Sequence, residues 1–363
     1  MLRNLVIALV CASVASTAGA YASANNKTPV NLPNEFANTS KYRLDYSDLE
    51  AVLRGSVLEM GRSDHKRARK LARATGSNMR LGNPLPSRLE GNRVLLHEFG
   101  QAQLAGLAMV RDDLLAIPAQ LAIEKLSKEE QLAYWLNLHN IIVLSKVASL
   151  YPVTMLESIF SPASGKSVLY DRDYEWNGQM ISLADIQNHI LTNWADPVVI
   201  YGFYLGAVGT PNIRNSAYTG ANVHAALKDN AEDFVNSVRG TQVRNKTKLR
   251  VSTYYEAMAQ KFPNFQNDLM THIRKYATSE LLHRMKQARK IATDIDDWHI
   301  ADLYNGKLSS EGGSHAGTVT DRRGTSAISG LPRHVTDLLV ARQARLAKSV
   351  DETGSRETKK ESR

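Results

Sequence analysis

Cysteine is almost missing from this chain, whose one residue of that type is Cys11. Met1 to Ala24 has the layout of a cleavable export signal. Arg3 supplies a positive start, Leu5 to Ala15 an apolar run, and Ala18-Gly19-Ala20 and Ala22-Ser23-Ala24 two small-residue cleavage triplets. Removing that leader leaves no cysteine at all. Disulfides, thiol nucleophiles and cysteine metal ligands are excluded together, so stability has to come from an ordinary apolar core. Lipid anchoring at Cys11 is not expected, because Ala8-Leu9-Val10 lacks the small residue usual just before a lipidated cysteine. Long apolar runs are missing too. The leader's run falls far short of the ~20 residues of a spanning helix, and Lys146 and Glu157 interrupt the longest later one. The expectation is a secreted or periplasmic protein without a transmembrane helix.

Acidic residues are the other shortage: 36 Asp and Glu stand against 45 Lys and Arg, a formal charge of +9 and a pI near 9.4. That balance favours anionic envelope components, such as lipid, lipopolysaccharide or acidic glycan, or a protein partner; nucleic acid is not expected for an exported chain. Part of the excess lies at Arg62, Lys66, Arg67, Arg69, Lys70 and Arg73, opposed nearby by Asp64. A solvated helix face is the plain reading of such a run.

With 363 residues, 43% of them apolar, the chain can build one large core. Composition divides it into the leader at 1–24, a polar stretch at 25–40, a helical part at 41–126, an α+β core at 127–305, and a mostly disordered basic tail at 306–363 with a short helix at His334 to Lys348. Leu49, Val52, Leu53 and Val57 have helical spacing within Tyr42 to Ala74. A second helical block spans Val94 to Ile123, after the turn at Gly82-Asn83-Pro84. Ser127-Lys128-Glu129-Glu130 predicts a capping box, opening a helix that ends near Leu150. That helix is apolar on nearly every face and should be buried at the centre. It carries Asn137, His139 and Asn140 inside, and each needs a partner, since an unpaired buried polar group costs about 1–3 kcal/mol. His139 is then either a satisfied core residue or a general base. The asparagines hold either neighbouring loop backbone or a ligand.

Ser167 to Tyr170 reads as a short strand, and Asn177-Gly178 as the turn of a hairpin within Glu175 to Ile181. Ser182 caps a further helix in which Asp185 stands four residues before His189. That pair suits proton transfer or metal ligation, or is a plain ion pair. Val198 to Leu205, β-branched and aromatic, reads as a central strand. It feeds the glycine-rich loop Gly206 to Arg214, where exposed amides, Asn212, Arg214 and the adjoining Tyr204 offer contacts to a ligand, with a structural loop as the alternative. Tyr218 to Asn222 leads into an amphipathic helix reaching Val238, Lys248 to Ser252 reads as a strand, and helices fill Tyr254 to Lys290. Asp294 to His299 lacks the spacing of a calcium loop and reads as a turn with capping aspartates. No metal or cofactor is expected. The fold class is α+β: a helix-rich single domain with a small, mainly antiparallel sheet and a buried central helix.

Glu130-Gln-Leu-Ala-Tyr-Trp-Leu-Asn-Leu-His-Asn140, Tyr151-Pro-Val, Ser182-Leu-Ala-Asp-Ile-Gln-Asn-His-Ile-Leu191, Asp196-Pro197 and Ala217-Tyr-Thr-Gly220 together resemble domain-of-unknown-function family 547. The resemblance spans Glu130 to Tyr255, with weaker echoes at Glu90 to Val94 and at Trp298. It implies a helix-rich α+β domain of bacterial exported and plant proteins, with no established activity. Many members carry cysteines in the loop after the central strand and a Glu-His pair in the short helix. Here Ala207 and its neighbours replace the cysteines, and Gln187 and Asn188 replace the pair, so a thiolate reaction built on those groups is closed to this chain. The departures place it in an exported subgroup lacking the family cysteines.

Two functions remain. One is a non-catalytic binding or scaffold domain whose contact surfaces are the Gly206 to Arg214 loop and the basic run. The other is a hydrolase or transferase with His139 or His189 as base and a hydroxyl or metal-bound water as nucleophile. An enzyme should bring a histidine, an acid and the glycine-rich loop together; a scaffold should leave them apart.

Overall fold

The computed structural model describes residues 30–70, 83–161, 164, 166–244, 247–307 and 331–361, with backbone alone for 349–361. The expected export leader, Arg73 and Gly82 lie outside the described residues. The elements are α1 (Ser47–Ser56), β1 (Val57–Leu58), β2 (Arg93–Val94), α2 (Gln101–Gln120), α3 (Lys128–Leu150), α4 (Glu157–Phe160), β3 (Tyr174–Trp176), β4 (Gln179–Ile181), α5 (Leu183–Asn193), α6 (Val223–Val235), β5 (Thr241–Arg244), β6 (Lys248–Ser252), α7 (Tyr254–Ala257), α8 (Phe265–Tyr276), α9 (Ser279–Arg284), β7 (Lys290–Ile295) and α10 (Arg333–Glu361). The fold is α+β and helix-rich. Among the described residues three of four strand pairings are antiparallel, the exception being β6 with β7 in the sheet β5-β6-β7. No described helix is long and apolar enough to cross a membrane.

The centre is α3, buried on every face from Glu130 to Leu144. The Ser127 hydroxyl accepts from Glu130 N at 3.3 Å, which caps the helix. Glu130 does not complete the expected box. Its buried carboxylate accepts instead from Leu44 N at 3.1 Å and Gly220 N at 3.0 Å, tying two distant segments to the helix start. The box forms in full on α5, where the Ser182 hydroxyl and the Asp185 carboxylate each accept from the other's backbone N–H. Asn177 and Gly178 both adopt positive φ, 49° and 74°, as the two-residue hairpin turn demands.

Three expected elements differ. Val198 to Leu205 is not a strand: Pro197–Gly202 forms a 3-10 helix, started by Asp196, whose Oδ1 accepts from Val198 N at 2.9 Å, and by proline in the first turn. Val168–Tyr170 is also a 3-10 turn, capped by Ser167. The helix expected within 42–74 ends at Ser56, and Arg62 to Lys70 is irregular chain rather than a helix face. In the tail, α10 runs from Arg333 to Glu361 and docks through Val335 and Leu338, both buried, with Arg345 donating to Leu89 O at 2.8 Å. β7 went unforeseen between the helices of Tyr254 to Lys290 and the aspartate turn.

Candidate functional site

α3 presents its polar residues to irregular backbone, and the pairings form a chain. Asn137 clamps Tyr218, donating to its carbonyl at 2.8 Å and accepting from its N–H at 3.0 Å. Asn140 does the same across Gly202 O, at 2.9 Å, and Tyr204 N, at 3.1 Å. Asn230 on α6 donates to Tyr201 O and Asn212 O. Segment 201–218 belongs to no sheet yet is mostly buried, so its peptide groups need partners from side chains. Three asparagines supply those of Tyr201, Gly202, Tyr204, Asn212 and Tyr218.

The backbone around Asn140 fixes its amide: the nitrogen donates to Gly202 O, so Oδ1 is the atom that meets His139 Nδ1 at 2.9 Å. Nδ1 therefore carries the proton, and Nε2 accepts from the Gln187 amide at 2.9 Å. His139 is wholly buried, with Phe203 against its ring, and burial lowers its pKa to about 4. It is a satisfied neutral core residue.

The other candidates scatter. Asp185 and His189 share a helix without pairing. Burial pushes the Asp185 carboxyl up, but hydrogen bonds from Arg172 and Ser182 outweigh it and hold the group below the usual range. His189 lies between Trp135 and Trp194, accepts from Asn193 at 3.2 Å, and is lowered to about 4 by burial. Tyr204 is buried and burial raises its hydroxyl pKa. Asn212 is spent on Asn92 N and the Asp233 carboxylate. Arg214 donates to Ala226 O at 3.2 Å and, with Asn137, Asn140, Leu49, Leu53 and Tyr218, lines a narrow cleft between α1 and α3. Among the described residues no three His, Cys, Asp or Glu side chains group as a metal would need.

The glycine-rich loop is packed rather than exposed. A Cβ on Gly209 would stand 2.7 Å from Asp297 O, and Gly206 has φ +79° with Leu156 and Val147 against it. Gly209 N donates to Asp297 O and Val208 N to His299 O. These contacts reveal two residues that the sequence reading treated only as part of a turn. Asp297, buried, accepts from Asn83, from the Ser87 hydroxyl at 2.6 Å and from His299 Nδ1 at 2.9 Å. The His299 ring stays partly exposed.

A buried ionic group was also missed. Arg239 donates to the Val208 and Thr210 carbonyls and pairs with Asp233 at 2.5 Å. Glu90 accepts from the Ser63 hydroxyl and Arg239 N, and burial raises it to about 7. Arg93, held by the carbonyls of Arg88, Glu90, Gly91 and Asn92, is lowered by burial to about 10.

Residues 123–235, which hold all three asparagine clamps, match the family described as "Protein of unknown function, DUF547". That stretch is similar to the DUF547 family. No curated protein and no solved structure matches the chain. Much of what closes the DUF547 segment comes from outside it: Leu44 on Glu130, Asn92 on Asn212, Arg239 and Asp297 on the glycine loop.

Finally, the basic run lies along β5. His65 Nε2 donates to Thr241 O at 2.8 Å, Arg284 meets His65 Nδ1 at 2.6 Å, and Arg67 donates to the Gln242 side chain at 3.2 Å, as Arg250 does from β6. Lys66, Arg67, Arg69 and Lys70 are exposed. Basic groups from three separate parts of the chain therefore share one surface.

Proposed function

We propose that the protein is a non-catalytic binding or scaffold domain, exported to the envelope, whose contact surface is the basic segment Arg62 to Lys70 and not the glycine loop. The observation that carries this reading is the sealing of His139. Both ring nitrogens are engaged by Asn140 and Gln187, and the ring has no exposure to solvent, so it has no route to a substrate proton. The chain's excess of basic over acidic residues supports an anionic partner. A thermal-shift series tests it, since any ligand of the native state raises Tm by mass action. Stabilisation by polyanions, weakened in a Lys66→Ala/Arg69→Ala/Lys70→Ala variant, supports the reading. Stabilisation by a metal or small molecule that vanishes on replacing His139 sinks it.

One observation favours a second reading, a hydrolase with a histidine base. Asp297 holds His299 Nδ1, which leaves Nε2 as the free ring nitrogen, next to the glycine loop. Turnover of ester or phosphoester substrates, lost in His299→Ala at unchanged Tm, would establish it. Equal turnover in that variant removes it.

A further inference from the structure

The outer face of the sheet β5-β6-β7 carries a row of cations that its own register forces together. Arg244 pairs with Lys248, and Lys248 with Lys290. All three are exposed, and with strands about 4.8 Å apart the row spans about 10 Å. One step along, Arg250 stands beside Gln242, over which Arg67 also reaches. The three strands contain four cations and one carboxylate, Asp294, which is taken by Arg250 at 2.7 Å. Like charges placed directly opposite destabilise a sheet. Leu249, Val251 and Ile291, on the other face, are buried and fix the register, so the repulsion stands in the free protein and an external anion would relieve it.

We infer that this sheet face, with Arg67 beside it, docks flat on an anionic lipid surface, its row of cations meeting headgroup phosphates. The inference rests on the binding reading above and adds a second surface and a partner class to it. Charge complementarity argues for the occupant. The outward positions of the three strands are Gln242, Arg244, Lys248, Arg250, Lys290, Ala292 and Asp294, with no aromatic ring on which a base could stack, the usual means of holding single-stranded nucleic acid. A duplex groove is entered by a helix or a two-stranded ribbon, and these positions present the flat face of a three-stranded sheet. Juxtaposed lysines and arginines against an anionic bilayer need neither device.

Vesicle co-sedimentation of the full chain tests this, using phosphatidylglycerol-containing and pure phosphatidylcholine vesicles, with an Arg244→Ala/Lys248→Ala/Lys290→Ala variant alongside. Both proteins carry the same residues 1–29, so any contribution of that segment cancels. Each cation at such a surface is worth about a factor of five, so the triple variant should lose roughly a hundredfold in partitioning. Its Tm should hold or rise, since repulsion is relieved. Salt-sensitive binding to anionic vesicles, lost in the triple variant, supports the proposal. Unchanged vesicle binding in that variant, with loss in Lys66→Ala/Arg69→Ala/Lys70→Ala, overturns it while the basic-segment reading survives. Binding to polyphosphate or RNA but to no vesicle overturns the lipid partner alone, and no affinity for any anion overturns both.

Discussion

Asn140 Oδ1 accepts two hydrogen bonds at once, from His139 Nδ1 at 2.9 Å and from Tyr204 N at 3.1 Å. One oxygen thus joins the core histidine to the buried loop. Because the same amide donates to Gly202 O, its orientation is set by backbone, and the tautomer of His139 follows from it.

Gln187→Glu tests that chain. With a carboxylate in place of the amide, Nε2 faces an acceptor where it now meets a donor, and the ring satisfies it by taking a proton. The pKa of His139 should climb from about 4 to above its ordinary value, as for any imidazole beside a carboxylate. Stability should fall by about 1–4 kcal/mol through burial of the ion pair. Histidine titration by NMR checks it; a His139 still neutral at pH 6 in the variant would show that the introduced carboxyl, and not the ring, holds the proton.

Glu90 sets a dependence on pH. Burial raises it from 4.5 to about 7, so the folded chain holds a proton that the unfolded chain has released over that interval. The contribution is fully present below pH 4.5 and is lost as pH rises through 7, up to about 3 kcal/mol. Glu90→Gln cannot titrate. Its stability relative to the native protein should therefore rise from pH 5 to about pH 7 and level off above that in denaturant melts, and a difference independent of pH would show that Glu90 is ionised throughout.

Gly209→Ala should cost about 2–4 kcal/mol, because the added carbon meets a backbone oxygen that cannot yield without breaking the Gly209 to Asp297 bond. Gly106→Ala on α2, with open space around it, should instead gain up to about 1 kcal/mol. Equal melting of the two variants would refute the packed-loop account.

Where local chemistry and burial pointed the same way, the fold was legible. Ser127 and the all-round apolar body of α3 predict a buried capped helix, and Asn177-Gly178 predicts its hairpin. Val198 to Leu205 misleads because an apolar run without period suits strand and helix alike; the arbiter was Asp196-Pro197, a cap followed by a proline in the first turn. The glycines of 206–209 left a ligand contact and a structural loop both open, because close approach to Asp297, some 90 positions later, leaves no local trace. The same distance hides the carboxylate's hold on His299. β7 was missed because its neighbour β6 is parallel to it and joined through α7, α8 and α9.

The tail carries the last prediction. α10 begins at Arg333, and its contact with the domain includes buried Val335 and Leu338, Arg345 on Leu89 O, Arg342 on Glu59 O and Asp337 beside Arg88, while Val340 is 55% exposed. Leu338→Ala removes buried methyl groups at a peripheral helix, so the helix can detach once the loss exceeds what docking contributes. The cost should therefore fall at or below the low end of core truncations, about 2 kcal/mol, and Val340→Ala should change stability by less than about 0.5 kcal/mol. Hydrogen exchange separates the outcomes. Faster exchange confined to 333–348 in Leu338→Ala indicates a docked helix that opens by itself. Exchange that is already fast in the native chain, and equal in both variants, would show that α10 does not rest on the domain in solution.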